Sequence, residues 1–255
     1  MSSRPVSALP PKGVILAGGT GSRLDPLTRI TNKHLLPVYD RPMVLWAIEA
    51  LVDAGVRELM LVTGGTHAGE FLRLLGNGHE WGIERLLYAY QEGPGGIADA
   101  LALAEQFVAR KRVVVMLADN VFGTSLRATV EGFGRQERGA RVLLARVEET
   151  AHLNHLGVAR MEDGRIREIV EKPAKPPSPY AVTGLYCYDA DVWNVLQTLQ
   201  PSTRGELEIT DVNNWYVRER SMEFDITDGY WGDAGESIDA YYEVNEWVRR
   251  FRASS

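Results

Sequence analysis

The stretch KGVILAGGTGSRLDPLTRITNKHLLPV, residues 12–38, decides how the rest of the chain is read. Val14 to Ala17 is an apolar run of the length of a short buried strand, and it breaks at once into Gly18, Gly19 and Gly21. A glycine cluster directly after a strand lets the backbone turn tightly and aim several N–H groups at one point, a cradle for phosphate oxygens. Arg23 and Lys33 can bring positive charge to the same place. A merely flexible turn could use the same glycines, but the two cations favour a polyphosphate loop. The pattern is not a Walker loop, because no lysine follows Gly21 directly and the nearest downstream is Lys33. Nor is it a strict GxGxxG fingerprint, because Leu24 stands where the third glycine should be.

Downstream, the spacing predicts a largely buried helix over 43–54, with Pro42 at its start and Gly55 at its stop. A Leu- and Val-rich strand over 58–63 and a helix over 66–75 follow. Strands and helices in this alternating order form a doubly wound, mostly parallel sheet flanked by helices. His67 and His79 are read as solvated or loop-capping. A strand over 83–90 leads into QEGPGGI, residues 91–97, and a helix over 98–108. Gln91, facing that glycine-rich bend, could offer a side-chain amide to a flat polar ligand, although a plain strand–turn–helix explains the residues equally well.

The most hydrophobic segment, 113–118, reads as a central strand and ends in Asp119-Asn120. Ligands of open α/β sheets lie beyond the carboxyl ends of the strands, so an acid there is placed for Mg²⁺, or simply caps the next turn. A helix over 124–138 and a strand over 140–147 complete this part. The texture then changes to short strands: a hairpin of 157–161 and 165–170 around Asp163-Gly164, then a strand over 180–188. This smaller β-rich subregion is read as folding over the ligand edge. Glu171 and Lys172 become candidates to touch a second substrate, a solvated ion pair being the alternative.

A helix over 189–199 is capped by Asp189, and a further helix runs from about 204 to 218. A strand over 222–226 and a loop over 229–235 carrying a second candidate metal acid, Asp233, come next. In the last helix, 237–251, Tyr241, Val244, Trp247 and Val248 form a core or contact stripe.

The composition narrows the class. The chain has 255 residues, 45% apolar and 24% charged, with a net charge of −6 and its basic residues scattered. That is ordinary globular composition, with no basic stripe for nucleic acid and no apolar span of membrane length. One cysteine, Cys187, excludes an intrachain disulfide framework, and residues 1–10 have no apolar core long enough for a signal peptide. A cytoplasmic protein with a flexible tail over 1–10 and a single domain over 11–251 is expected. The part with the phosphate cradle lies mainly in 11–147, the β-rich part mainly in 148–235 and the final helix in 236–251. Covalent catalysis is not indicated, since there is no nucleophile elbow and the cysteine sits in a strand pattern. Metal, cations and a phosphate cradle together suit phosphoryl or nucleotidyl transfer.

These residues carry a resemblance. The strings LAGGTGSRLDPLT (16–28), KHLLPVYDRPM (33–43), QEGPGGIADA (91–100), LADN (117–120), EKP (171–173), YAVTGLYCYD (180–189) and RGELEITDVN (204–213) are similar to those of the sugar nucleotidylyltransferases. Within that family they look most like the enzymes that join dTTP to glucose 1-phosphate. The resemblance runs from Lys12 to about Val248. It implies the reaction NTP + sugar 1-phosphate ⇌ NDP-sugar + pyrophosphate with Mg²⁺, and leaves a homo-oligomer open. It also implies roles by position. Gly18, Gly19 and Gly21 hold the triphosphate, Arg23 and Lys33 stabilise it, and Leu16 and Pro94 lie beside the nucleotide. Gln91 and Gly96 read the base, while Asp119 and Asp233 bind Mg²⁺. Leu156, Gly157, Glu171 and Val182 line the sugar pocket, with Lys172 and Arg204 on the sugar phosphate.

The chain departs from the family pattern at His34 and Asp99, where glutamines are usual, and at Leu156, where tyrosine is common. Its metal loop reads WGDAGE, and the chain stops soon after its final helix. Other bases (UTP, CTP, GTP) with another sugar or cyclitol phosphate, and a non-catalytic sugar-nucleotide-binding regulator, are the competing functions.

Overall fold

The computed structural model describes residues 10–253, so the tail expected over 1–10 lies outside the described residues except for Pro10. The first strand shows how the sheet is sandwiched. In β1 (Lys12–Ala17) Val14 and Leu16 face one apolar cluster, while Ile15 and Ala17 face another on the opposite side. A strand buried on both faces cannot alternate polar and apolar, which is why it reads as a continuous hydrophobic run.

The elements follow in order. A two-residue pair, β2 (Pro37–Val38) and β3 (Arg41–Pro42), leads into α1 (Met43–Asp53), β4 (Glu58–Gly64), α2 (Ala68–Leu75) and β5 (Arg85–Gln91). Next come α3 (Ile97–Ala102), α4 (Glu105–Val108), β6 (Val113–Leu117), β7 (Asn120–Phe122), α5 (Arg127–Arg135) and β8 (Ala140–Arg146). The short α6 (Thr150–Leu153) precedes the hairpin β9 (Gly157–Glu162) and β10 (Arg165–Glu171), then β11 (Tyr180–Tyr188) and α7 (Val192–Leu196). The chain continues through α8 (Ile209–Arg218), β12 (Met222–Ile226), β13 (Trp231–Asp233) and α9 (Ile238–Ala253).

Nine strands make the main sheet, in the path β10-β9-β11-β6-β1-β4-β5, with β8 on β11 and β12 on β8. The strands β6, β1, β4 and β5 are mutually parallel, and β11 runs antiparallel to β6, β8 and β9. The β9–β10 hairpin meets β11 through the single pair Ala181↔Val158 and continues the same sheet, so the β-rich subregion is not a separate layer. From β1 the chain moves outward to β4 and β5, then returns to β6 on the other side. That reversal opens a crevice beyond the carboxyl ends of β1 and β6.

One face of the sheet is covered by α3, α4, α7 and α8, with Leu101, Phe107, Trp193 and Tyr216 in the cluster. The other is covered by α1, α2 and α5 through Ile48, Phe71 and Phe133. Each such side chain, fully buried, contributes about 1.5–3 kcal/mol by leaving water. The α9 stripe divides. Tyr241, Val244 and Val248 are buried with Leu24, Met43 and Val121, whereas Trp247 stacks on Tyr230 at 4.0 Å between ring centroids.

Several expected boundaries move. The helix expected over 98–108 is broken into α3 and α4, where Ala104 N–H donates to Leu101 O at 3.0 Å in a tighter turn. The helix expected over 189–199 contracts to α7, whose N-cap is Asp191, and the buried Asp189 expected to cap it instead ties the preceding turn to its neighbours. Its carboxylate accepts from Asp191 N–H at 3.1 Å, the Tyr216 hydroxyl at 2.8 Å and Gly139 N–H. The helix expected over 124–138 is trimmed to α5. The loop expected over 229–235 contains β13, paired antiparallel with β7 in the register Asp233↔Asn120, Gly232↔Val121 and Trp231↔Phe122. Among the described residues no helix is long and apolar enough to cross a membrane.

Candidate active site

The parallel register brings three strand ends together. Leu16 pairs with Leu117 and Gly64 with Gln91, so the glycine turn after β1, Gln91 of β5 and Asp119 after β6 share the carboxyl edge of the sheet. In the turn, Gly19 (φ 96) and Gly21 (φ 64) adopt left-handed backbone that a side chain would strain, and a short 3₁₀ turn follows over Ser22–Leu24. Arg23 is exposed there, its charge acting on Asp233.

The β7–β13 ladder sets the second acid beside the first. Ala234 N–H donates to Asp119 O at 2.9 Å, and Asp233 is held by a bond from Gly235 N–H to its Oδ1 at 2.8 Å. Asn120, 1% exposed, ties the region together: its Oδ1 accepts from Gly184 N–H at 2.8 Å and Trp231 Nε1 at 2.6 Å, and its Nδ2 donates to Asp119 Oδ1 at 3.1 Å. On the other oxygen, Lys33 Nζ donates to Asp119 Oδ2 at 2.5 Å, and His34 Nε2 stands 3.8 Å from it. A side chain on Gly235 would collide with the Asp119 carboxylate and stand 2.7 Å from Lys33 Nζ, which is why glycine follows the acid loop here.

The two acids differ in their protonation. Burial opposes the charge on Asp119, but Lys33 and His34 outweigh it and hold the carboxyl well below the usual range. At Asp233 burial first and the Asp119 charge second outweigh the pull of Lys33, Gly235 N–H and Arg23, and push it up to about 7. Burial also lowers His34, whose Nδ1 lies 2.9 Å from Asn32 Oδ1. A buried carboxylate pair of hard oxygen donors that resists carrying both charges suits a small divalent cation. Among the described residues no cluster of three or more His, Cys, Asp or Glu side chains could hold a metal. Mg²⁺ commonly takes only one or two carboxylates and completes its shell with water and phosphate.

The same cavity is lined by a second polar group. Glu171 Oε2 accepts from Thr210 Oγ1 at 2.6 Å, and its Oε1 is 3.3 Å from Arg204 and 3.6 Å from Lys172. Arg204 is also held by Glu208 at 2.8 Å. The positive-φ Lys172 (φ 44) receives its shape from the bend after β10, its N–H donating to Leu156 O at 3.0 Å. Leu156 is 9% exposed and packs with Leu153, Val158 and Ala181 as well as facing the cavity.

Every site residue nominated from the sequence, from Leu16 to Asp233, lines one cavity of about 630 Å³. That is within the range of small-molecule sites. The structure adds Asn120, Trp231, His34, Thr210 and Glu208, which sequence reasoning did not single out as site residues. Asn120 was adjacent to a nominated acid, but its partners come from β11 and β13 and leave no local signal. His34 was visible only as a departure from the family pattern.

Comparison with known proteins agrees with this geometry. The nucleotidyl transferase family matches residues 12–250. A glucose-1-phosphate thymidylyltransferase from Actinoplanes sp. is 43% identical over 242 residues, which is 93% of this chain and 78% of that protein. One from Neisseria meningitidis is 41% identical, covering 93% of this chain and 82% of that protein. A crystal structure from Bacillus anthracis, assigned as a glucose-1-phosphate thymidylyltransferase and solved with sucrose, superposes with a TM-score of 0.88 at 45% identity, covering 93% of this chain and 95% of that one.

Proposed function

The chain belongs to the nucleotidyl transferase family, and from that premise we propose that it condenses dTTP with glucose 1-phosphate to give dTDP-glucose and pyrophosphate. One observation carries the reading. A single cavity is lined by the glycine turn, the acid pair and the Glu171–Arg204–Lys172 group. Two phosphorylated substrates can meet there with their charges answered by separate groups.

In this reading an oxygen of the sugar phosphate attacks the α-phosphorus. The new P–O bond forms as the bond to the β-phosphate oxygen breaks, and pyrophosphate leaves with that electron pair. No protein base is required, since the attacking oxygen is already ionised near neutral pH. The protein's task is alignment and charge stabilisation. Backbone N–H groups of Gly18, Gly19 and Gly21, with Arg23, hold the phosphates that depart. Lys33 reaches the same region from Asp119. Gln91 and Gly96 seat the base, with Leu16 and Pro94 beside the nucleotide. Glu171 accepts from sugar hydroxyls beside Gly157 and Val182, while Lys172 and Arg204 orient the sugar phosphate.

Asp119 and Asp233 would hold Mg²⁺, which when bound neutralises the phosphate charge that builds as the bond breaks.

The test is a matrix of nucleoside triphosphates against sugar 1-phosphates, read as pyrophosphate release with Mg²⁺ and with chelator. The expected result is release that is largest for dTTP with glucose 1-phosphate and lost with chelator. Absence of release from every pair would overturn the proposal.

A further inference from the structure

Gln91 is held from behind in a way that fixes which end of its amide a ligand can meet. Its Nε2 donates to Gly96 O at 3.0 Å and to Asp99 Oδ2 at 2.7 Å. A backbone carbonyl and a carboxylate are both acceptors, and neither has a proton to give. Reversing the amide would set Oε1 against two acceptors at once. The orientation is therefore dictated by chemistry. The carbonyl end points the other way, into the cavity: a side-chain carbon on Gly18, at the start of the glycine turn, would stand 3.1 Å from Gln91 Oε1. Both Gly18 and Gln91 line the cavity, and Asp99 does not.

Asp99 itself is well seated. It lies in the first turn of α3, half-buried, where a carboxylate is favoured by the exposed N–H groups. A side chain on Gly95 would collide with its carboxylate, so the glycine leaves the acid its place.

We propose that Asp99 is a positioning residue that locks the Gln91 amide with its oxygen toward the bound base, so that the site accepts a base with a ring N–H donor at that edge and rejects one with a bare ring nitrogen there. Thymine and uracil offer the N–H between two carbonyls. Cytosine offers a lone pair, which would meet Oε1 acceptor to acceptor. This rests on the reading of the cavity as a nucleotide site and assigns the source of its base selectivity to a residue outside the cavity wall.

The experiment compares dTTP, UTP and dCTP by kcat/KM and, separately, by Kd from calorimetry without sugar phosphate. Wild type is expected to favour dTTP over dCTP by about a hundredfold or more, the scale of a site left with an unanswered buried polar group. UTP, with the same edge as dTTP, should follow it. Asp99→Ala should lower the dTTP:dCTP ratio by about tenfold or more, whereas Asp99→Asn, which still presents an acceptor oxygen, should stay within about threefold of wild type. Asp99→Ser keeps a polar group at the start of α3 but stops short of Gln91, and repeats the test should the alanine variant not fold.

A residue that merely caps the helix would weaken both nucleotides in parallel, and an unchanged ratio in Asp99→Ala and Asp99→Ser overturns the proposal. Equal affinity of wild type for dTTP and dCTP overturns it as well. The proposed reaction fails separately. If wild type binds dTTP selectively but releases no pyrophosphate with any sugar 1-phosphate, the Kd ratios still report on Asp99.

Discussion

Asn120 and Asp233 are opposite partners in the β7–β13 ladder, and that pairing places the Asp233 carboxyl beside Asp119. The acid pair is thus made by strand register and not by proximity in the chain. Asn120 reinforces it by holding Gly184, Trp231 and Asp119 together from a fully enclosed position.

Replacing either acid by its amide keeps the shape and removes the charge. Asp119→Asn and Asp233→Asn should each lower turnover by about two orders of magnitude or more at limiting Mg²⁺, the scale of losing a metal-holding charge. Circular dichroism should show an intact fold. Near-wild-type turnover of Asp119→Asn at low Mg²⁺ would remove the metal role.

A pH dependence follows for the protein without divalent cation. The Asp233 carboxyl is pushed up to about 7, against about 3.9 in an unfolded chain. Between those values the native state keeps a proton that the unfolded state has released. Stability from this group is therefore greatest at low pH and declines as pH rises toward 7, by an amount on the order of a few kcal/mol. Asp233→Asn should abolish that decline. Denaturation midpoints of wild type and variant should diverge between about pH 4 and pH 7, and added Mg²⁺ should narrow the gap; parallel curves across that range would contradict it.

Arg23 stands exposed beside the glycine turn. Arg23→Ala should cost about two orders of magnitude in kcat, the scale for one donor that stabilises developing charge. The preference among sugars should be unaffected. Normal turnover with altered sugar preference would move Arg23 away from the phosphates.

At Leu156 a branched apolar side chain faces the cavity where a hydroxyl is common in the family. Leu156→Tyr should raise the relative kcat/KM for glucose 1-phosphate over its monodeoxy analogues, by about 0.5–1.5 kcal/mol for a regained hydrogen bond. It should also lower stability by about 1–3 kcal/mol, because Leu156 packs with Leu153, Val158 and Ala181. An unchanged sugar ratio would leave Leu156 a packing residue only.

Cys187 lies in β11, and burial pushes its thiol up to about 12. Native protein at pH 8 should therefore resist a thiol reagent, and labelling should appear only as the protein unfolds. Rapid labelling of folded protein would place Cys187 elsewhere.

The parts of this site that were legible in the sequence are those carried by local chemistry. Gly18, Gly19 and Gly21 announce a tight backbone turn, left-handed at Gly19 and Gly21, and Asp119 follows an apolar run of the kind a central strand needs. The strand over 180–188 was legible for the same reason, being buried along nearly its full length. What stayed hidden depends on partners far along the chain. Trp231–Asp233 is too short for a period of two to register and contains Gly232, so its pairing with β7 leaves no trace in composition. Lys33 was read as a phosphate cation, and its bond to Asp119 needed the fold to be seen. Asp99 stands out in the sequence only as a departure from a motif, and its contact with Gln91 needed the fold to be seen.

The β7–β13 ladder also puts a condition on when the site can exist. The glycine turn, Lys33 and Asp119 all lie within the first half of the chain, yet Trp231 and Asp233 lie near its end. A chain ending short of residue 231 would keep most of the residues that line the cavity but only one of its two acids, and would lose the α9 side chains that cover Leu24, Met43 and Val121. The first strands cannot make the pair by themselves, because its second member is placed by residues near the end of the chain.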